Sequence, residues 1–348
     1  MTEQKTAPHK IALALQGGGS HGAFTWGVLD RLLEEPDLTI GSVTGASAGA
    51  MNAVVLAHGL LDGGHEGARR ALREFWESVG RVPGLASFFG PLQSGAPGQW
   101  HLDNSPIYIL FDFISRVWSP YELNPLNLHP LRDIVTGLVD FDALRRSTAP
   151  RVTVCATNVR TGRRRVFGNA ELTADAVLAS ACLPYLFPAT EIDGEPYWDG
   201  GYTGNPAIAP LLRGDSEVSD LIIVAINPLV RDETPKTARD IINRVTEISF
   251  NSTFLLELAA IAFVGKLCAD HGIQDKRARQ MFFHGIGAEA ELSAMGASSK
   301  LNNHPAFLSH LFGIGREAAG EWLATNRAAI GRRSTIDLTQ LLPSDMLG

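Results

Sequence analysis

Apolar positions along the chain follow two rhythms. Short apolar runs at 11–15 and 220–226 have the length of strands and are bounded by Gly, Pro or polar residues, and 39–44 is another strand candidate. Elsewhere the apolar residues recur at three- and four-residue spacing. The stretch 22–35 brings Phe24, Val28 and Leu32 toward one face and stops before Pro36. Residues 48–58 are small and apolar, as a helix pressed closely on a sheet requires, and 66–79 form another amphipathic segment. Strand patterning returns at 151–159 and 163–167 around a Thr161-Gly162 turn, and 174–181 reads as a helix ended by Pro184. The opening order of strand, loop, helix, strand, turn and helix predicts an α/β fold with a mainly parallel central sheet.

The character of the chain changes twice. From 80 to 130 it is rich in Gly, Pro and Asn and carries Phe88, Phe89, Trp100, Tyr108, Phe111, Phe113, Trp118 and Tyr121. Such an insertion is either an irregular packed cap or a lid over an apolar site. After Pro228 helical patterning dominates, at 237–250, 252–267 and 306–329. The expected organisation is therefore a polar N-terminal segment at 1–9, a domain at 10–229, and a mainly helical C-terminal extension at 230–348. Within that extension 254–267 is the nearest approach to a membrane span, but it is too short and contains Glu257, Gly265 and Lys266; it reads as a buried core helix in preference to an interfacial one.

Composition narrows the function classes. The 348 residues are 45% hydrophobic and 19% charged, which is ordinary for a globular enzyme-sized chain. A net charge of −7 argues against a broad nucleic-acid-binding surface. Cys155, Cys182 and Cys268 have neither CxxC spacing nor a neighbouring His, so they read as small buried hydrophobes, with no metal site expected. Arg163-Arg164-Arg165 reads as a solvated strand edge. The polar N-terminus has no secretory pattern, and the expected location is cytoplasmic, with transient peripheral contact with membranes.

Three motifs carry chemistry. Gly45-x-Ser47-x-Gly49 joins a buried strand to a small-residue helix, the setting of a nucleophile elbow. Its glycines relieve crowding around the tight turn, and the serine hydroxyl is pushed out at the start of the helix, where the dipole favours developing negative charge. Gly17-Gly18-Gly19-Ser20-His21-Gly22 also follows a strand and opens a helix. Its unobstructed amides suit either a dinucleotide pyrophosphate or the oxyanion of an ester under attack. A dinucleotide site needs an acidic residue at the end of the second strand; Asp37 precedes that strand, so the oxyanion hole is preferred. Trp198-Asp199-Gly200-Gly201 is by itself only a turn. It gains weight because the serine needs a base. His271, His284, His304 and His310 all fall in the extension read as helical, and His21 sits within the glycine loop.

In this order the motifs resemble the patatin-like phospholipase family. Further stretches match it: Cys155-Ala156-Thr157-Asn158-Val159 before Thr161-Gly162, and Ala179-Ser180-Ala181-Cys182-Leu183-Pro184 running on through Asp193-Gly194 to Asp199-Gly200-Gly201. The likeness covers residues 10–229. It implies a three-layer α/β/α sandwich and a lipid acyl hydrolase with no cofactor. It further implies Ser47 as nucleophile, Asp199 as its base within hydrogen-bond reach, and Gly17, Gly18 and Gly19 as the oxyanion hole. Gly22, Gly45, Gly49, Gly200, Gly201 and His21 would support the motifs. His21 departs from the pattern, since many members carry Arg or Lys there, and an oxyanion partner that titrates near neutrality would act in a pH-dependent way. The expected substrate is a lipid ester: phospholipid, lysophospholipid, acylglycerol or an intracellular polyester. Competing readings are a Ser-His-Asp esterase of the α/β-hydrolase type, a nucleotide-binding oxidoreductase and an inactive lipid-binding scaffold.

Overall fold

The computed structural model describes residues 9–82, 100–102, 114, 117–212, 218–231, 234–272 and 281–341. The first strands form where expected. β1 (His9–Leu15) lies at the centre, parallel to β2 (Leu38–Gly45) on one side and β7 (Asp220–Ala225) on the other. β2 pairs in parallel with β3 (Arg151–Asn158), against which β4 (Arg164–Gly168) and β6 (Glu195–Asp199) run antiparallel. A short β5 (Thr190–Ile192) completes that edge as a hairpin with β6. β1 and β7 are buried on both faces, which is why they read as apolar runs instead of alternating ones.

Helices cover the sheet. α1 (Gly22–Leu32) and α2 (Ala48–Arg81) follow β1 and β2. α2 joins the two segments expected at 48–58 and 66–79, which meet at a break where Gly63 and Gly64 leave helical geometry. α3 (Pro130–Leu138) and α4 (Phe141–Arg146) pack on α2, and α5 (Ala174–Ser180) packs on β3. The insertion expected at 80–130 falls largely outside the described residues. Phe88, Phe89, Tyr108, Phe111 and Phe113 are among those not described; Trp118 and Tyr121 are exposed.

The C-terminal region is mainly helical, with α6 (Ala238–Asp270), α7 (Glu289–Ala294) and α8 (Pro305–Asn326), but it also supplies a strand. β8 (Phe282–Gly287) extends the sheet beside β7, giving the order β5-β6-β3-β2-β1-β7-β8 with β4 on β3. His284, in the region read as a helical extension, therefore sits on a strand, where its Nε2 meets Asp220 at 2.9 Å. The glycine-interrupted run Phe282 to Gly287 has too few apolar residues to announce a strand. Its hydrogen bonds to β7 form it. α8 packs along α1, and the contact depends on glycines: a Cβ on Gly27 would lie 2.1 Å from Phe312 O, and one on Gly315 would lie 2.0 Å from Phe24 O.

Two readings are corrected. The segment 254–267 is helical but is not a core helix: Phe254 and Leu258 are buried, while Leu256, Phe263, Val264 and Leu267 are exposed. Asp240–Cys268 is by length and composition apolar enough to cross a membrane, yet only 22% of its apolar window is buried. The arginine run is not simply solvated either. Arg164 pairs with Glu257 of α6 at 2.9 Å, and Arg165 pairs with Glu171 and covers the Phe167 ring. Of the cysteines, Cys155 and Cys182 are buried and Cys268 only half-buried.

Candidate active site

The site is built at the C-terminal ends of β1 and β2, where both chains turn into helices. After β2 the chain turns within Ala46 and Ser47, and Ser47 takes φ 54° and ψ −125°, a conformation that side chains rarely adopt. The crowding is visible in the flanking glycines. A Cβ on Gly45 would sit 2.3 Å from Gly49 O, and one on Gly49 would sit 2.1 Å from Leu15 O. The turn thus exists only because both positions lack side chains. Ser47 is almost fully buried and lies at the N-terminus of α2.

The backbone of Ser47 is held from outside its own turn. Its N–H donates to the Ser180 carbonyl at 3.1 Å and to Ser180 Oγ at 3.0 Å. Two residues on, the Cys182 carbonyl accepts from Asp199 N–H at 2.8 Å. One short segment after α5 therefore positions both the serine and the acid. Ser180 lies within a stretch quoted for the family resemblance, but nothing in its local sequence announces this role.

Asp199 ends β6 opposite Ala156 of β3 and is fully buried. Its Oδ1 accepts from Gly201 N–H at 2.7 Å, whereas Oδ2 has no hydrogen-bond partner among the described residues. Burial pushes this carboxyl up to about 7, opposed by the Gly201 N–H and by the nearby Ser47 hydroxyl. The serine is thus close enough to favour the ionised form, although no hydrogen bond of full geometry closes between the two side chains. Gly200 and Gly201 are required by neighbours: a Cβ on the first would meet Cys155 O at 2.0 Å, and one on the second the Phe250 ring at 2.5 Å.

The glycine loop lies directly against the elbow, since a Cβ on Gly17 would be 2.6 Å from Ser47 Cβ. Its three amides are not equivalent. Gly17 N–H is taken by Asn205 Oδ1 at 2.6 Å, while those of Gly18 and Gly19 have no acceptor among the described residues. The Gly17 carbonyl accepts from Asn227 Nδ2 at 2.7 Å, and Gln16 Oε1 accepts from the N–H groups of Ile226 and Asn227. Gly19 has φ 59°, and a Cβ there would run into Lys300 O. Gly22 lets α1 start against α2, its missing Cβ leaving room for Ala48 and Trp76. Gln16, Asn205 and Asn227 were not foreseen, because polar residues just after strands are common and their targets lie far off in sequence.

His21 does not behave as expected of an oxyanion partner that titrates near neutrality. Its Nε2 is 2.7 Å from Ser299 Oγ, and burial, with the nearby charges of Lys300 and Arg231, lowers it to about 3. It stays neutral at physiological pH and ties the loop to the C-terminal region. The His284–Asp220 pair is remote from the elbow. Strand register sets Asp220 beside Ile11, whereas Gly45 pairs with Leu15, four residues along, or about 13 Å at ~3.3 Å per residue. No histidine hydrogen-bonds Ser47 or Asp199 among the described residues. Nor does any group of three or more His, Cys, Asp or Glu converge there to hold a metal ion.

The fold is thus a mixed sheet between helices, with the serine turn packed against the glycine loop. The family model of patatin-like phospholipase matches residues 13–212, more than half of the chain. The chain belongs to that family and is a lipid acyl hydrolase. No curated protein matches it. Among solved structures, VipD from Legionella pneumophila is similar over 92% of this chain and 67% of its own, at 15% identity and a TM-score of 0.41.

Proposed function

We propose that Ser47 and Asp199 act as a catalytic dyad that cleaves lipid carboxylic esters through an acyl-enzyme. The observation that carries this reading is the buried Oδ2 of Asp199, without a hydrogen-bond partner among the described residues, beside the strained Ser47. Asp199, raised to about 7, is a far better base than an ordinary carboxylate. It accepts the Ser47 proton as Oγ attacks the ester carbonyl. The oxyanion is received by the amides of Gly18 and Gly19, each such donor being typically worth ~2.7–4 kcal/mol. Asn205 leaves Gly17 a structural part: occupied itself, it fixes the direction of the two amides that follow. The alcohol leaves with the proton from Asp199. Water then gives a proton to Asp199 as it attacks the acyl-enzyme, and Asp199 passes that proton to Ser47 Oγ as the fatty acid is released.

A Ser-His-Asp triad finds no support in the positions of His21 and His284, each engaged elsewhere. The test is labelling with a fluorophosphonate followed by peptide mapping, paired with Ser47→Ala. The label is expected on Ser47 alone, and the variant should lose about 10⁶ in kcat on a soluble short-chain nitrophenyl ester. Labelling of another serine, or a tenth of the parental rate in the variant, refutes the assignment.

A further inference from the structure

α6 is apolar on two opposite sides. Phe250, Phe254 and Leu258 are buried: Phe250 packs on Gly201 and Tyr202, and the other two join a core with Leu221 and Ile223. At about 100° per residue, the exposed Ile241, Val245, Ile248, Leu256, Phe263 and Leu267 fall on the other side, within an arc of about 100° that the exposed Ile242 and Val264 widen to about 160°. Leu256 is 70% and Val245 58% exposed. Between Ile241 and Leu267 every fully exposed position is uncharged. The stripe is about 39 Å long at ~1.5 Å per residue.

The two glutamates of the helix are turned inward, whereas Asp240 and Asp270 at its ends are exposed and Lys266, half-buried, falls on the arc of the stripe. Glu257 accepts from Arg164 and from the N–H groups of Ile208 and Ala209. Glu247 takes Arg231 at 2.7 Å and Arg244 at 3.3 Å, with Lys300 at 3.9 Å. One buried carboxylate is thus shared by three cations. It lies in a cleft of about 630 Å³ at the N-terminal end of the stripe, lined also by Lys236 and Asp240. Asp232 and Glu233, which follow Arg231, lie outside the described residues. Among the described residues positive charge is in excess there, although the whole chain carries −7.

We propose that α6 is a docking helix for a phospholipid surface: its outer stripe lies in the interface while the cationic cleft at its N-terminal end faces the lipid phosphates. This deepens the reading of the site as a lipid hydrolase. The helix lies on the interface and does not span it, because its inner face is committed to the core and to the loop after Asp199. That commitment also explains its place: a surface seated on the stripe is separated from the Gly200–Tyr202 turn by one helix, about 10 Å. An apolar strip edged by basic groups matches the layering of a membrane, acyl chains below and phosphates above. A second copy of the chain is the competing occupant.

The test is sedimentation of the full chain, carrying Ser47→Ala so that binding is read without turnover, with phosphatidylcholine vesicles with and without phosphatidylglycerol. Leu256→Glu and Phe263→Glu should each weaken partitioning about tenfold or more. Lys236→Gln should remove part of the increment due to phosphatidylglycerol, an increment that falls with salt. In the Ser47-containing protein, the same stripe variants should hydrolyse a soluble short-chain ester within about twofold of the parental rate. Should Phe263→Glu fail to fold, Leu256→Ser, at the most exposed position of the stripe, carries the test. Wild-type-like vesicle binding by the variants, or no binding by the parent, overturns the proposal. So does a parental dimer that the glutamates split without altering vesicle binding. Failure of the dyad would instead appear as soluble-ester activity surviving Ser47→Ala.

Discussion

Asp199→Asn separates the chemistry of the buried acid from its cost to stability. Asn keeps the acceptor for Gly201 N–H and replaces Oδ2 by an amide of nearly the same size. It cannot take a proton, so activity should fall by several orders of magnitude. Stability should move the other way. Burial raises the folded carboxyl from 3.8 to about 7, so the folded state holds this proton more tightly than the unfolded chain. Below 3.8 the group is neutral in both states and costs nothing. As pH rises toward 7 only the unfolded chain ionises freely, and the parent loses stability until the folded group also ionises. The full loss is about 4 kcal/mol, at about 1.36 kcal/mol per pH unit. Between pH 5 and pH 8 the advantage of the Asn variant should grow by about 2–3 kcal/mol. With ~2.1 cal/mol/K of unfolding entropy per residue and 348 residues, that growth is about 4 °C in Tm. The assay is thermal unfolding of parent and variant at pH 5, 6, 7 and 8. A variant destabilised equally at all pH values would show that Asp199 is ionised and well solvated, and the reasoning would fail.

The same ionisation should appear in the parental enzyme as a kcat/KM that drops about tenfold per pH unit below 7; a plateau down to pH 5 would count against Asp199 as base. His21→Gln should leave that profile in place, because His21, lowered to about 3, does not titrate in this range; a shifted or second inflection would restore it as a titrating partner. Ser47→Gly should be inactive yet more stable than Ser47→Ala by about 1 kcal/mol, by relieving the positive φ, as read by urea unfolding. Asn205→Ala frees Gly17 N–H and should lower kcat by about 10²-fold with KM nearly unchanged; a pure KM effect would exclude a role in aiming the loop amides.

Residues close in sequence made much of this protein legible. β1 and β7 announced themselves as apolar runs because burial on both faces leaves no polar alternation. The elbow and the glycine loop were readable because local sterics demand glycine there, whatever the rest of the chain does. Asp199 was recognisable only together with the other motifs, since an Asp before two glycines is a common turn. What tertiary structure alone decided were matters of distance and solvent. Ser180, Asn205 and Asn227 gain their parts from partners 133 to 210 residues away, which no spacing rule encodes. His21 and Asp199 titrate far from their ordinary values because packing removes water, and burial is a property of the assembled fold. The same holds for β8, whose glycine-broken run becomes a strand only beside β7. It holds most clearly for α6. Periodicity counts apolar residues but not which of two apolar faces meets the core, so a helix that read as buried proves to lay half of its greasy surface open to solvent.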